Sequence, residues 1–590
     1  MRDFFKTLAA TITGVFISIF LLFILGGILF AGMIAALGDK ETKPRKDMIL
    51  EINLNYLISE RTEDNSLLEL IDKNNVRPLG LDVLMEQIKR ASQDENVRGI
   101  LLKPGMLSAG YGTVDEIRNA LLEFKQSGKF LYAYAEYLTE KNYFLSSVCD
   151  SIFLNPAGEI VMNGLSSNIM LYKNMLDKLG IQMELFKVGT HKGAAEVYTK
   201  EQLSTENEEQ IQRYLDAIYN KLCTDIAISR GLNRDEFKNQ VSQFVVQSGE
   251  QALELNWIDG LWYEDQLAAL LKSKVGKDAN QKICYTSLSE YRKMSGPKSA
   301  ETKSKNKIAV VYITGEITNN SANDNQTGCK SLINTLRKVR YNEQYKAVVL
   351  RVNSPGGSAF GSDQIWREVK LINQEKPVIV SMGDVAASGG YYVAAPADSI
   401  LVSPYTLTGS IGVFALYPNM QEFLNDKIGV QYQSIKTGEY ADLGRIDRPF
   451  TENEKQIIQQ TVNRIYRDFT QVVREGRNLD SVHLENIAQG KVWFADHAID
   501  HKLADGIGRI NDAIHAAAFK AGLDSTDYKL VHLPKKEDNF SQWLRTISAV
   551  KEQSLQQKLG TLYPMYQALE LINQWKPGVQ ARIPYDLYID

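Results

Sequence analysis

Ala347-Val348-Val349-Leu350-Arg351-Val352 runs straight into Asn353-Ser354-Pro355-Gly356-Gly357-Ser358, and this stretch decides the fold. A valine-rich apolar run predicts a buried strand. Proline and paired glycines then stop it, since one lacks an N–H and the others favour turns. A helical pattern over 362–374 follows. The next strand-like run, 378–381, leads into Met382-Gly383-Asp384-Val385-Ala386-Ala387-Ser388-Gly389-Gly390-Tyr391-Tyr392. With the run at 308–312, strands alternate with helices, which predicts an α/β fold of parallel strands.

Working outward, the unit occurs twice. Gly99-Ile100-Leu101-Leu102-Lys103 parallels Ala347-Val348-Val349-Leu350-Arg351 at an offset of 248. At that offset Asp150-Ser151-Ile152 meets Asp398-Ser399-Ile400, Pro156 meets Pro404 and Gly164 meets Gly412. After one inserted residue, Lys178-Leu179-Gly180-Ile181-Gln182 meets Lys427-Ile428-Gly429-Val430-Gln431. So many matches in register mark an internal duplication. The sequence predicts an anchor (1–46), a first domain (47–291), a polar linker (292–306), a second domain (307–535) and a helical tail (536–590).

The anchor is expected because 8–37 carries no charge and, as a helix, would span roughly 45 Å. A cleavable signal has a shorter apolar core, of about 7–15 residues. Lys and Arg counts on the two flanks mildly favour a cytoplasmic bulk. The net charge of −4 gives no basic excess for nucleic acid. Cys149, Cys223, Cys284 and Cys329 lie far apart, so neither a disulfide framework nor a metal site is expected.

The chemistry is expected in the second half. The Gly356-Gly357 pair can turn backbone N–H groups toward an anion. Ser388 sits among Ala386, Ala387, Gly389 and Gly390, where small neighbours let a peptide backbone approach its hydroxyl. A nucleophilic serine needs a base. His483, His497, His501, His515 and His532 lie in no glycine-rich or small-residue loop, so a buried lysine is the other candidate.

The succession SPGG, AASGGYY and Leu407-Thr408-Gly409-Ser410-Ile411-Gly412 resembles the S49 peptidases. The anchor, the tandem halves and Lys576-Pro577-Gly578-Val579-Gln580-Ala581-Arg582 resemble their long form. The resemblance implies two tandem crotonase/Clp-protease-like domains after an N-terminal transmembrane helix. It implies a Ser/Lys dyad, Ser388 as nucleophile and Lys192, in Gly189-Thr190-His191-Lys192, as general base. Gly357 and Gly389 would hold the oxyanion, with Gly356 and Ser410 in support. His191 stands where related chains often carry an aromatic residue. No metal or cofactor is implied. Substrates would be remnant signal peptides and other short apolar peptides, cut by a homo-tetramer in a bacterial inner membrane with its domains on the periplasmic side.

The repeat tests the dyad. Ser388 meets Glu140, and Gly356-Gly357 meets Ser108-Ala109. After the slip, Lys192 meets Ala441. Each half keeps what the other lacks, which predicts one composite site. A crotonase-type acyl-CoA enzyme and a non-catalytic membrane scaffold are the competing possibilities.

Overall fold

The computed structural model describes residues 2–36, 45–62, 79–294, 304–319, 326–524, 527–534 and 579–583. Its strands are β1 (Met48–Asn53), β2 (Val97–Lys103), β3 (Phe130–Leu138), β4 (Ser151–Ile160), β5 (Gln182–Val188), β6 (Gly260–Leu261), β7 (Cys284–Ser287), β8 (Lys307–Thr314), β9 (Glu316–Thr318) and β10 (Gln326–Gly328). They continue as β11 (Tyr345–Ser354), β12 (Gly356–Ser358), β13 (Val378–Ala387), β14 (Ser399–Val402), β15 (Leu407–Gly409), β16 (Val413–Asn419), β17 (Val492–Phe494), β18 (Gly506–Ile507), β19 (Lys529–Leu533) and β20 (Gln580–Arg582).

The duplication is visible in the sheets. The first half forms a parallel sheet ordered β6-β4-β3-β2-β1-β7. The second half repeats that order as β18-β14-β13-β11-β8-β19, all parallel. β15 corresponds to the end of β4, pairing with β13 in the register in which Glu159 and Ile160 pair with β3, and β17 is added antiparallel to β15. The apolar runs form these strands because parallel sheets are covered on both faces. Val348, Val349, Leu350 and Val352 are at most 1% exposed.

A third sheet belongs to both halves. Its order is β10-β9-β12-β20-β16-β5, and only β5 comes from the first half. β16 pairs antiparallel with β5 from Val413↔Val188 to Asn419↔Gln182. The repeat counterparts of these two strands, 165–171 and 431–437, pair with no strand among the described residues.

A buried ionic cluster also joins the halves. Arg351 is fully buried and donates from Nε and Nη2 to the Glu60 carboxylate at 3.0 and 3.1 Å, and from Nη1 to Glu116 at 3.1 Å. Both carboxylates come from the first half. Asp384 accepts from the Thr113 N–H at 2.7 Å and from its hydroxyl at 2.6 Å. Asn353 bridges Glu60 and Asp384 at 2.9 and 3.1 Å. Burial raises the Glu116 carboxyl to about 7, against the pull of Arg351. The cluster therefore fixes the strand ends that lead to the SPGG and AASGG segments.

The strand expected to stop at 381 runs to Ala387, because Ser354 and Leu407 on either side still pair with Ala386 and Val385. The helical tail over 536–590 and most of the linker lie outside the described residues, and the part of the tail described is a strand, not a helix. Its backbone is drawn into the third sheet by pairing with β12. Residues Arg2–Ala36 form one helix of 35 residues. Among the described residues no helix is long and apolar enough to cross a membrane. Several side chains of the Arg2–Ala36 helix lie outside that set, so the span expected over 8–37 is not shown.

Candidate active site

Ser388 closes β13 and opens the short helix Gly389–Ala394. Its backbone turns sharply, at φ 54° and ψ −114°, in a region side chains rarely occupy. Strain of that kind persists only where the surroundings enforce it. Here the Ser388 N–H donates to the Gly409 carbonyl at 2.8 Å and its carbonyl accepts from the Tyr392 N–H at 2.8 Å. These two bonds pin the turn, and the residue is fully buried.

Lys192 lies just beyond β5 and is fully buried as well. Its Nζ is 2.7 Å from Ser388 Oγ, 2.9 Å from the Ser410 carbonyl and 3.0 Å from Ser410 Oγ. None of these partners is a carboxylate. Burial alone pushes the amine well below its ordinary range, because nothing anionic offsets the lost hydration. Ser410, at φ 51°, is held by its N–H on the Lys491 carbonyl at 2.6 Å.

The glycine pair lies beside the serine. Gly356 and Gly357 have φ of 98° and 150°. A Cβ on Gly356 would stand 2.7 Å from the Gly389 nitrogen and 2.1 Å from the Ala581 carbonyl oxygen. One on Gly357 would stand 2.3 Å from the Ile317 oxygen. Only glycine fits, and the SPGG and AASGG segments meet at one sheet end.

His191 is only partly buried, and its Nδ1 lies 2.8 Å from Thr190 Oγ1. Its ring makes no hydrogen bond to Ser388 or Lys192 among the described contacts. At the repeat position of Ser388, Glu140 accepts the N–H groups of Asn163 at 2.7 Å and Gly164 at 3.0 Å.

Sequence reasoning missed a strap formed by Gln489, Gly490 and Lys491. The Gln489 carbonyl accepts the His191 N–H at 3.0 Å, and the Gly490 N–H donates to Ile411 at 2.8 Å. A Cβ on Gly490 would come within 2.5 Å of the Lys192 backbone nitrogen. A glycine between polar residues in a turn was the available signal. The ionic cluster gave none beyond an arginine in an apolar strand. Among the described residues no cluster of His, Cys, Asp and Glu could hold a metal ion.

A serine hydroxyl on a strained backbone thus lies against an amine with no carboxylate partner, beside a glycine pair. Peptidase family S49 matches residues 123–278 and 370–524, one match in each half. The chain is 33% identical to the chloroplastic serine protease SPPA of Arabidopsis thaliana, over 75% of this chain and 66% of that one. It is 31% identical to Protease 4 of Haemophilus influenzae, over 81% of this chain and 80% of that one. With Protease 4 of Salmonella typhi identity is 29%, over 79% and 74%. A mutant ClpP1 from Listeria monocytogenes overlaps 35% of this chain and 94% of its own at 15% identity and a TM-score of 0.23. The chain belongs to peptidase family S49 and is a serine protease.

Proposed function

We propose a membrane-anchored endopeptidase in which Ser388 is the nucleophile and Lys192 the general base. The 2.7 Å approach of Lys192 Nζ to Ser388 Oγ, with both side chains buried, carries this reading. A neutral amine has two N–H groups and one lone pair. The carbonyl and hydroxyl oxygens of Ser410 accept the two N–H groups, which leaves the lone pair for the Ser388 proton. Lys192 takes that proton as Oγ attacks the scissile carbonyl carbon. The N–H groups of Gly357 and Gly389 hold the oxyanion, and Gly356 permits their approach; one such donor is worth about 2.7–4 kcal/mol. On collapse the Lys192 ammonium protonates the leaving amine. Water, losing its proton to Lys192, then frees the acyl group and restores Ser388.

The wider expectations belong to the same proposal. The domains span 47–291 and 307–535, joined by 292–306, in a crotonase/Clp-protease-like fold. The Arg2–Ala36 helix is the membrane anchor, with Phe16, Phe20 and Leu22 exposed. The catalytic domains face the periplasm of a bacterial inner membrane, and the substrates are cleaved signal peptides and short apolar peptides. A homo-tetramer is supported by the unpaired counterparts 165–171 and 431–437, where Ile435 is 94% exposed. A second copy placed head to tail would repeat the β16–β5 pairing there.

A fluorophosphonate probe followed by peptide mapping tests the dyad. Labelling at Ser388 that disappears in Lys192→Ala is expected. Labelling elsewhere, or none, overturns the Ser388/Lys192 assignment.

A further inference from the structure

Strand β20 lies against the glycine pair, and the Ala581 carbonyl oxygen is close to both Gly356 and Gly389. The strand is inserted between β12, which carries the glycine pair, and β16. It runs antiparallel to β12, pairing Gly356↔Arg582, Gly357↔Ala581 and Ser358↔Gln580. The Ile583 N–H donates to the Pro355 carbonyl at 2.9 Å, and the Ala359 N–H to the Val579 carbonyl at 3.3 Å. Hydrogen-bonded pairs alternate along an antiparallel ladder. Gly357 and Ala581 lie midway between those two pairs, so they exchange the next bonds. The N–H proposed for the oxyanion therefore faces the Ala581 carbonyl. That same oxygen would be 3.1 Å from a Cβ on Gly389. Ala581 and Ile583 are 1% and 3% exposed, so the segment is seated rather than resting on the surface.

We propose that the slot between β12 and β16 is a peptide-binding site and that residues 579–583 are its built-in occupant, which a substrate strand must displace. This rests on the serine-protease reading above. Peptide would enter as an added strand, held by backbone hydrogen bonds that do not depend on sequence. Ala581 marks the residue whose carbonyl faces the glycine pair, which points to a small side chain there. A tethered competitor at an effective concentration near millimolar raises the apparent KM without touching kcat.

The experiment compares the full chain with a chain ending at Pro577 and with full-length Ala581→Pro, which deletes the N–H that Gly357 faces. Hydrolysis of a short peptide with alanine at the cleaved bond is followed. Both variants should show KM lowered about threefold or more, with kcat unchanged. The free peptide Val-Gln-Ala-Arg-Ile should compete with substrate on the shortened chain, whether it inhibits only or is itself cut. Unchanged KM in both variants overturns the proposal. So does a shortened chain that still takes fluorophosphonate at Ser388 but hydrolyses nothing, since the strand would then be structural. If the shortened chain fails to fold, Ala581→Pro alone decides between the same outcomes. A full chain that neither hydrolyses peptide nor labels at Ser388 would instead sink the Ser388/Lys192 reading.

Discussion

The first half puts Glu140 where the second half puts Ser388, and the two halves use the same corner differently. Glu140 takes the N–H groups of Asn163 and Gly164, whose repeat counterparts are Ile411 and Gly412. In the second half that corner receives the lysine stem instead, since a Cβ on Gly412 would be 3.3 Å from Lys192 Cδ. A pinned carboxylate thus fills in one half the space that a borrowed amine fills in the other. The two halves share one scaffold, and the pairing of β5 with β16 brings Lys192 of the first half to Ser388 of the second.

The sharpest break of this comparison is at the dyad. Ser388→Ala and Lys192→Ala should each lower kcat by at least about 10⁴-fold, because members of such a unit act together. A separately produced second half, residues 304–534, should be inactive even when folded; hydrolysis by that fragment would end the composite-site idea. Next comes the ionic cluster. Arg351→Met leaves Glu60 and Glu116 buried without a cation and should cost about 3–5 kcal/mol in urea unfolding. An unchanged urea midpoint would show that the cluster does not hold the halves.

The buried amine makes a pH prediction with a definite sign. The folded-state pKa of Lys192 is depressed, so the unfolded chain binds a proton that the folded chain does not. Stability should rise with pH until the unfolded value, about 10.4, is passed. Lys192→Met should therefore melt higher than the parent at neutral pH, with the gap closing towards pH 10. In the active enzyme kcat/KM should climb along one ionisation well below that unperturbed value. A profile that climbs only near the unperturbed value, about 10.4, would contradict both.

Smaller effects sharpen the contrast. Ser410→Ala removes one of the two acceptors that orient the amine and should lower kcat/KM about tenfold, the worth of one hydrogen bond to a poised group. Full inactivation would make Ser410 a candidate for the nucleophile. Glu140→Ser restores a hydroxyl in the first half, yet kcat should not change and fluorophosphonate should label Ser388 alone. Labelling at residue 140 would mean the first half needs only a serine to react.

Much of the site was legible because its chemistry depends on small residues. The strand at 347–352, the SPGG turn and the AASGG run are local patterns with local causes. Glu140 and Ala441 were readable as losses because the repeat aligns them with Ser388 and Lys192. Gln489, Gly490 and Lys491 were not, since their role is to touch Lys192 and Ser410 from far along the chain. Arg351 looked like a polar interruption of a strand, and only the packing of Glu60 and Glu116 against it explains the charge.

By itself the sequence determined the α/β class, the duplication and which residue types each half retains. Periodicity, turn chemistry and internal alignment are all properties of one chain segment at a time. The tertiary structure decided what is shared between segments. It set the pairing of β5 with β16, the seat of β20 between β12 and β16, and the carboxylate-free pocket around Lys192. Neutralising a lysine requires removing its water and withholding every anion, and no stretch of sequence specifies what surrounds a side chain on all sides.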